Sequence, residues 1–421
     1  MSSCTIDGVD WDVVGDFGSM PFILDVTPLD APGAASALND ETTATADSIG
    51  GMLLTASWSW GATRPLGPLT EPAAGRAVVS LLDTERLFDP LNTASPIVAY
   101  LKAGLPVRVT ADGIPAWTGS TASWSHDLGP QESTIELVDV IGELGLTDAG
   151  AIGTSTPTII PTAMAYAALV GFAGFSYHGA ATCIPGAEDV VPVEPLRRAW
   201  YHSSPLVGYD SAFLRTIVRD PEGSLLEALA PIRFAELASL SGSPEGRVWW
   251  DSQLPQNVPA ARLTVNCGGV FLSSLSATID LDRVRNQVRI TGHTPELYRD
   301  EPSIARHGVR EVVSSVDALA FATEAEHVGY SRPSPAGEPY GRWAAIILDA
   351  LAEPAALVTL GTMRPKEAAQ VIPVANARYR DRWRVIDDHV EPPIDRYVRV
   401  LGARCRLLST GLEVDAVTED E

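Results

Sequence analysis

Leu105-Pro106-Val107-Arg108-Val109-Thr110-Ala111, then Asp112-Gly113, then Ile114-Pro115-Ala116-Trp117-Thr118-Gly119 is the stretch on which the fold reading turns. Its first part alternates valine with polar residues and predicts a strand over 105–111. Asp112-Gly113 suits a tight turn, because both residues tolerate left-handed backbone at little cost. The chain then returns as a strand over 116–125. Trp117 and Gly119 share one face of it, a large side chain beside none, the size alternation with which small barrels are filled.

Working outward, strands are expected over 52–60, 77–82 and 133–138, with Gly129-Pro130 as a further turn. Trp58 and Trp60 share a face, and Gly61 with Pro65, Gly67 and Pro68 ends that strand. Short strands at such spacing predict a barrel or a sandwich.

Beyond residue 145 the texture changes. Ile159 to Phe175 predicts a buried apolar helix, since Pro161 and Thr162 interrupt it and it falls short of a membrane span. Ser224-Leu225-Leu226-Glu227 is a capping box that starts a second helix, with Leu225, Leu226, Leu229 and Ile232 on one face. Strands follow over 247–251, 275–281 and 284–291. A helix over 340–351 carries the apolar stripe Trp343, Ile346, Ile347, Ala350 and Leu351. Strands are then expected over 356–360, 370–374, 380–386, 397–408 and 412–417. Asp300 to Glu311 reads as a charged turn.

The expected fold class is therefore mainly β with an α+β insert, two barrel-like β domains bracketing a mixed helix and hairpin region. The division reads 1–50 as an N-terminal arm or sheet extension and 51–145 as the first barrel-like domain. Residues 146–275 form an α/β insert lobe, and 276–421 the second barrel-like domain with one amphipathic helix.

The net charge of −23 argues against a duplex-DNA binder, because phosphate neutralisation needs a basic face and the basic residues are scattered singly. Such acidity suits a concentrated, assembling protein. Lys102 and Lys366 are the only lysines, a bias expected of a GC-rich genome. The amino terminus has no basic start and no apolar core of a secretion signal, so the chain is expected to be made in the cytoplasm.

No catalytic, cofactor-binding or metal residue is nominated. Cys4, Cys183, Cys267 and Cys405 are far apart with no C-x-x-C spacing, and the seven histidines are equally dispersed. No G-x-S-x-G, phosphate loop or dinucleotide fingerprint is present. The 53 carboxylates form chance pairs almost anywhere, with nothing local to push two pKa values apart. The ten tryptophans allow a sugar-stacking platform, but their face pattern favours packing.

Two stretches acquire meaning jointly. Ser80-Leu81-Leu82-Asp83-Thr84-Glu85-Arg86-Leu87-Phe88-Asp89-Pro90 is a strand running into an acidic turn. It is followed in order by Leu105–Val109, by Trp117-Thr118-Gly119, and by Ile135-Glu136-Leu137-Val138-Asp139. Ser224 to Leu229, Val248–Asp251, Asn286–Thr291 and Ser303-Ile304-Ala305-Arg306-His307-Gly308-Val309-Arg310-Glu311 complete the collinear set. Across roughly 75–315 the chain resembles minor tail proteins of actinobacterial siphophages, a group related to the baseplate-hub proteins of tailed phages. His307 stands where an aromatic residue is more usual.

The resemblance implies a non-enzymatic hub subunit at the tail tip of the virion, assembled in the host cytoplasm. It implies a homo-oligomer, a trimer in which two barrel-like domains per chain make a pseudo-sixfold ring that matches a six-fold tube to a three-fold tip. The implied partners are the distal tail protein, the tape measure protein and other minor tail proteins, with no nucleic-acid sequence recognition and no membrane span. Phe88, Asp89, Trp117, Arg306, Arg310 and Glu311 are the expected interface residues, Phe88 and Trp117 through barrel packing and Arg306, Arg310 and Glu311 through subunit or domain ion pairs. A distal-tail ring protein, a receptor- or glycan-binding tip protein and a cell-wall hydrolase stand as alternatives.

Overall fold

The computed structural model describes residues 4–15, 47–48, 52–61, 69, 71–95, 97–98, 101, 103–149, 158–161, 177–178, 215–218, 223–236, 239–251, 261–266, 270–272, 275–279, 281–291, 296–315, 339–354, 356–387 and 393–420. Its architecture is mainly β with few helices, as expected.

The first β unit comprises β1 (Cys4–Ile6), β2 (Val9–Gly15), β3 (Asp47–Ser48), β4 (Leu53–Gly61), β5 (Arg76–Leu82), β6 (Pro106–Ala111), β7 (Ile114–Asp127) and β8 (Glu132–Val138), closed by α1 (Val140–Leu146). Asp112 and Gly113 both have positive φ, so the β6–β7 hairpin turns as its Asp-Gly pair demands. The middle of the chain contributes β9 (Thr158–Pro161), β10 (Tyr177–His178), β11 (Arg215–Val218), α2 (Leu225–Glu236), β12 (Ser239–Gly242) and β13 (Val248–Asp251). The apolar helix expected over 159–175 lies mostly outside the described residues, and its first residues belong to β9 instead, paired with β11.

The last third supplies β14 (Leu263–Asn266), β15 (Val270–Leu272), β16 (Leu275–Ile279), β17 (Gln287–Thr291), β18 (Glu296–Arg299), α3 (Glu301–His307), β19 (Glu311–Ser315) and α4 (Pro339–Leu351). It ends with β20 (Ala356–Pro365), α5 (Ala368–Ala375), β21 (Arg382–Asp387), β22 (Ile394–Leu408) and β23 (Gly411–Asp420).

Strands of both β units lie in one sheet of 15, ordered β1-β2-β6-β7-β8-β5-β4-β22-β23-β20-β15 along its main path. The junction is the antiparallel pairing of β4 with β22, Trp58 opposite Cys405. The core follows from strand alternation: Trp58, Trp60, Val79, Leu81, Val107, Val109, Ile135 and Leu137 are buried from the first unit, and Trp383, Val398, Val400, Cys405 and Val414 from the second. Trp11 and Trp58 meet at 6.0 Å between ring centres.

Further expectations are corrected. Residues 370–374 are helical, inside α5, where Val371 and Val374 turn inward three residues apart. Asp300 to Glu311 is not simply a charged turn: Asp300 caps α3 by accepting from the Ser303 amide at 2.8 Å, and Gly308 ends it with φ 73°. The capping box does start α2, with reciprocal bonds of 2.8 and 3.3 Å between Ser224 and Glu227. Helix α4 buries Ala344, Ile347 and Leu351, whereas Ala350, expected on that stripe, is exposed.

A buried polar strap ties the middle of the chain to both β units. Thr118 on β7 accepts from Arg108 Nε on β6 at 3.0 Å and donates to the Pro244 carbonyl in the β12–β13 turn at 2.6 Å. Glu245 in that turn pairs with Arg378, just beyond α5. All six residues of β6 are therefore buried, its outward Arg108 included. Burial lowers the Arg108 pKa to about 10.

Candidate assembly surfaces

The six expected interface residues fall into two groups. Phe88 and Asp89 lie in the loop after β5, a loop folded around the buried Asp83 carboxylate. Asp83 Oδ1 accepts from the Leu87 amide at 2.7 Å, and Oδ2 accepts from the Phe88 amide at 2.9 Å and the Ser133 hydroxyl at 2.7 Å. That arrangement drives Phe88 wholly inside, stacked on Trp124 at 5.8 Å. Asp89 is also buried, and its carboxylate accepts from Arg86 and from the Leu91 amide. Those bonds, the amide first, hold its pKa below the usual carboxylate range.

Trp117 is buried on β7, with its ring against Gly119. Phe88, Asp89 and Trp117 thus serve packing within the chain, and the large apolar side chain that the loop leaves outward is Leu91, 85% exposed.

The second group sits on a small module, the three-stranded sheet β18-β17-β19 with α3 and α4. Its knot is Asn286, fully buried, which the sequence reading quoted without assigning a role. Asn286 donates to Ser303 Oγ at 3.2 Å and the Gly308 carbonyl at 2.8 Å, and accepts from the Arg310 amide at 2.8 Å. A buried asparagine with all these bonds satisfied fixes one arrangement of the segments it joins.

Arg306 and His307 meet Glu353 at the end of α4, Arg310 meets Asp282 at 3.4 Å, and Glu311 accepts from Gln287 at 2.6 Å and Arg289 at 2.8 Å. The hydrogen bonds from Gln287 and then Arg289 hold the Glu311 pKa below its usual value. The three candidates therefore share one module, each with its own partner, and Arg310 and Glu311 line an open cleft of about 470 Å³ with Asp282, Arg285, His307 and Val309.

Ser133, His126 and Asp83 look like a nucleophile set, but their geometry is wrong for one. His126 Nδ1 lies 2.9 Å from Ser133 Oγ, yet the serine hydroxyl is buried and donates to Asp83. Among the described residues no three His, Cys, Asp or Glu side chains gather as metal ligands would, and no helix is long and apolar enough to cross a membrane. Trp11, Trp58, Trp60, Trp117 and Trp383 are buried, so none of these five forms a sugar platform.

At the level of sequence, no family model and no curated relative matches the chain. In three dimensions it does match solved proteins. The tail protein from Neisseria meningitidis MC58 aligns over 98% of this chain and 96% of its own, with a TM-score of 0.52 at 14% identity. The 43 kDa tail protein of prophage MuSo2 from Shewanella oneidensis aligns over 87% and 92%, with a TM-score of 0.51 at 12% identity. The chain has a tail-protein fold.

Proposed function

We propose that the chain is a structural minor tail protein that forms the hub at the tail tip of a siphophage. The observation that carries this reading is the tail-protein fold spanning 98% of the chain. The sheet that runs from one β unit into the other through β4 and β22 supports the rest. Two β units per chain would let a homotrimer present six similar units to a six-fold tube and three to the tip. The distal tail protein and tape measure protein would be its neighbours there. The near-absence of lysine fits an actinobacterial source.

Arg310 is a test of the assembly reading. Its pair with Asp282 is long and Asp282 is 92% exposed, so the pair contributes little to folding. Arg310→Glu should leave thermal unfolding unchanged while lowering the trimer fraction in light scattering. A wild-type hexamer would favour the distal-tail ring, and negative-stain images with antibody against this chain bound away from the tip would overturn the hub assignment.

A further inference from the structure

The small sheet buries one face and leaves the other open. Val288 and Ile290 of β17 are wholly buried on the side where α4 packs. Their sequence neighbours lie on the other face, Gln287 buried and Arg289 exposed, and by strand register form two rows. Arg299, Gln287 and Glu311 make the first, and Leu297, Arg289 and Val313 the second. Hydrogen bonds stitch the first row together: Arg299 Nε to Gln287 Oε1 at 2.8 Å, and Gln287 Nε2 to Glu311 Oε1 at 2.6 Å. In the second, Leu297 and Val313 stand 48% and 56% exposed on either side of Arg289. Arg289 Nε also donates to Glu311 at 2.8 Å, so the four polar side chains of the face are tied together before any partner arrives.

The charge of this module sets it apart. Residues 281–315 hold six arginines against five carboxylates, and α4 with the residues up to Glu353 adds Arg342, Asp349 and Glu353, so the module is near neutral within a chain of net charge −23 and the remainder strongly negative. A large aliphatic pair in register across an arginine, on a preformed surface, is the composition of an interface centre more than of a solvated face.

We propose that this open face docks a second copy of the chain, Leu297 and Val313 closing against it while Arg289, Arg299 and Arg310 meet its acidic surface. The occupant follows from charge complementarity: every copy carries the excess of carboxylates that the module lacks, and their attraction orients one copy's module toward the next copy's remainder. Such a contact uses different surfaces on the two copies, and closes into a ring when the rotation between them allows. The inference rests on the homotrimer reading above and names the surface that makes it.

The test uses the full-length protein in light scattering over a concentration series, with circular-dichroism melting as a control for folding. Leu297→Thr/Val313→Thr keeps β-favouring residues but removes the apolar pair, and Arg289→Glu reverses the central charge. Each should raise the concentration for half-dissociation at least tenfold with the melt unchanged, and high salt should weaken the wild-type oligomer. If either variant melts early, Arg289→Gln supplies a milder loss of charge with the same expected direction. Oligomers that survive in all variants would overturn this face and leave the trimer standing, whereas a wild-type chain monomeric at every concentration would overturn both.

Discussion

Trp117 covers Gly119. The indole lies along β7 over the one position on its face with no side chain, and a methyl group placed at 119 would run into the ring and into the Val138 carbonyl of the neighbouring strand. The absence of a Cβ is therefore what lets β7 and β8 pair closely beneath the tryptophan. Gly119→Ala should destabilise the protein by about 2–3 kcal/mol through overpacking, read as a fall in the denaturation midpoint. The same variant combined with Trp117→Phe should recover part of the loss, and no recovery would place the clash solely at the Val138 backbone.

Asp83 holds the loop that buries Phe88. Its carboxylate accepts two backbone amides and the Ser133 hydroxyl, all inside the protein. Asp83→Ala leaves those donors without partners and should cost about 3 kcal/mol. Asp83→Asn keeps one acceptor oxygen and should cost less. Trp124, which stacks on Phe88, is one of ten tryptophans, so its emission is read as the difference from a Trp124→Phe variant, and an unshifted difference in Asp83→Ala would show the loop held by packing alone.

The strap through Thr118 makes a local prediction. Thr118→Val preserves volume but removes the acceptor of Arg108 Nε and the donor to Pro244. The loss should be about 2 kcal/mol, and amide exchange should rise in residues 239–251, which lose an anchor to β7. Exchange that rises uniformly along the chain would mean that the strap is part of global stability and does not hold the hairpin separately.

Local signals in the sequence were enough for the first β unit, because Asp112-Gly113, the valine alternation and the Trp117–Gly119 pairing all act within a few residues. The capping box at Ser224 was equally local. Residues 368–375 misled because a short apolar run suits a strand or a buried helix alike until its packing surroundings are known. Asp300, Pro302 and Gly308 were cap signals in plain view, masked by the density of charge around them. The β4–β22 junction joins residues more than three hundred positions apart, and no local pattern encodes it. Phe88 and Asp89 were legible as important, but their inward direction depends on Asp83, whose ligands span 50 positions.

Asp139 links the fold to pH. It caps α1 by accepting from the Gly142 amide at 3.0 Å, and Gly75 and Gly242 crowd it. Burial, against the pull of those amide bonds, raises its pKa to about 7, and Glu143 in the next turn is also raised by burial. Both groups bind protons more tightly folded than unfolded. Their contribution to stability is therefore complete below the unfolded carboxylate range and is lost as pH rises towards 7, where the native Asp139 must ionise inside the protein. Asn caps a helix as well as Asp does and carries no charge. Asp139→Asn should match the wild type near pH 4 and exceed it at pH 8 by on the order of 3 kcal/mol, measured as denaturation midpoints across the range. A variant less stable than wild type at pH 8 would mean that the ionised carboxylate is the better partner for those amides, and would reverse the assignment of burial as the dominant effect.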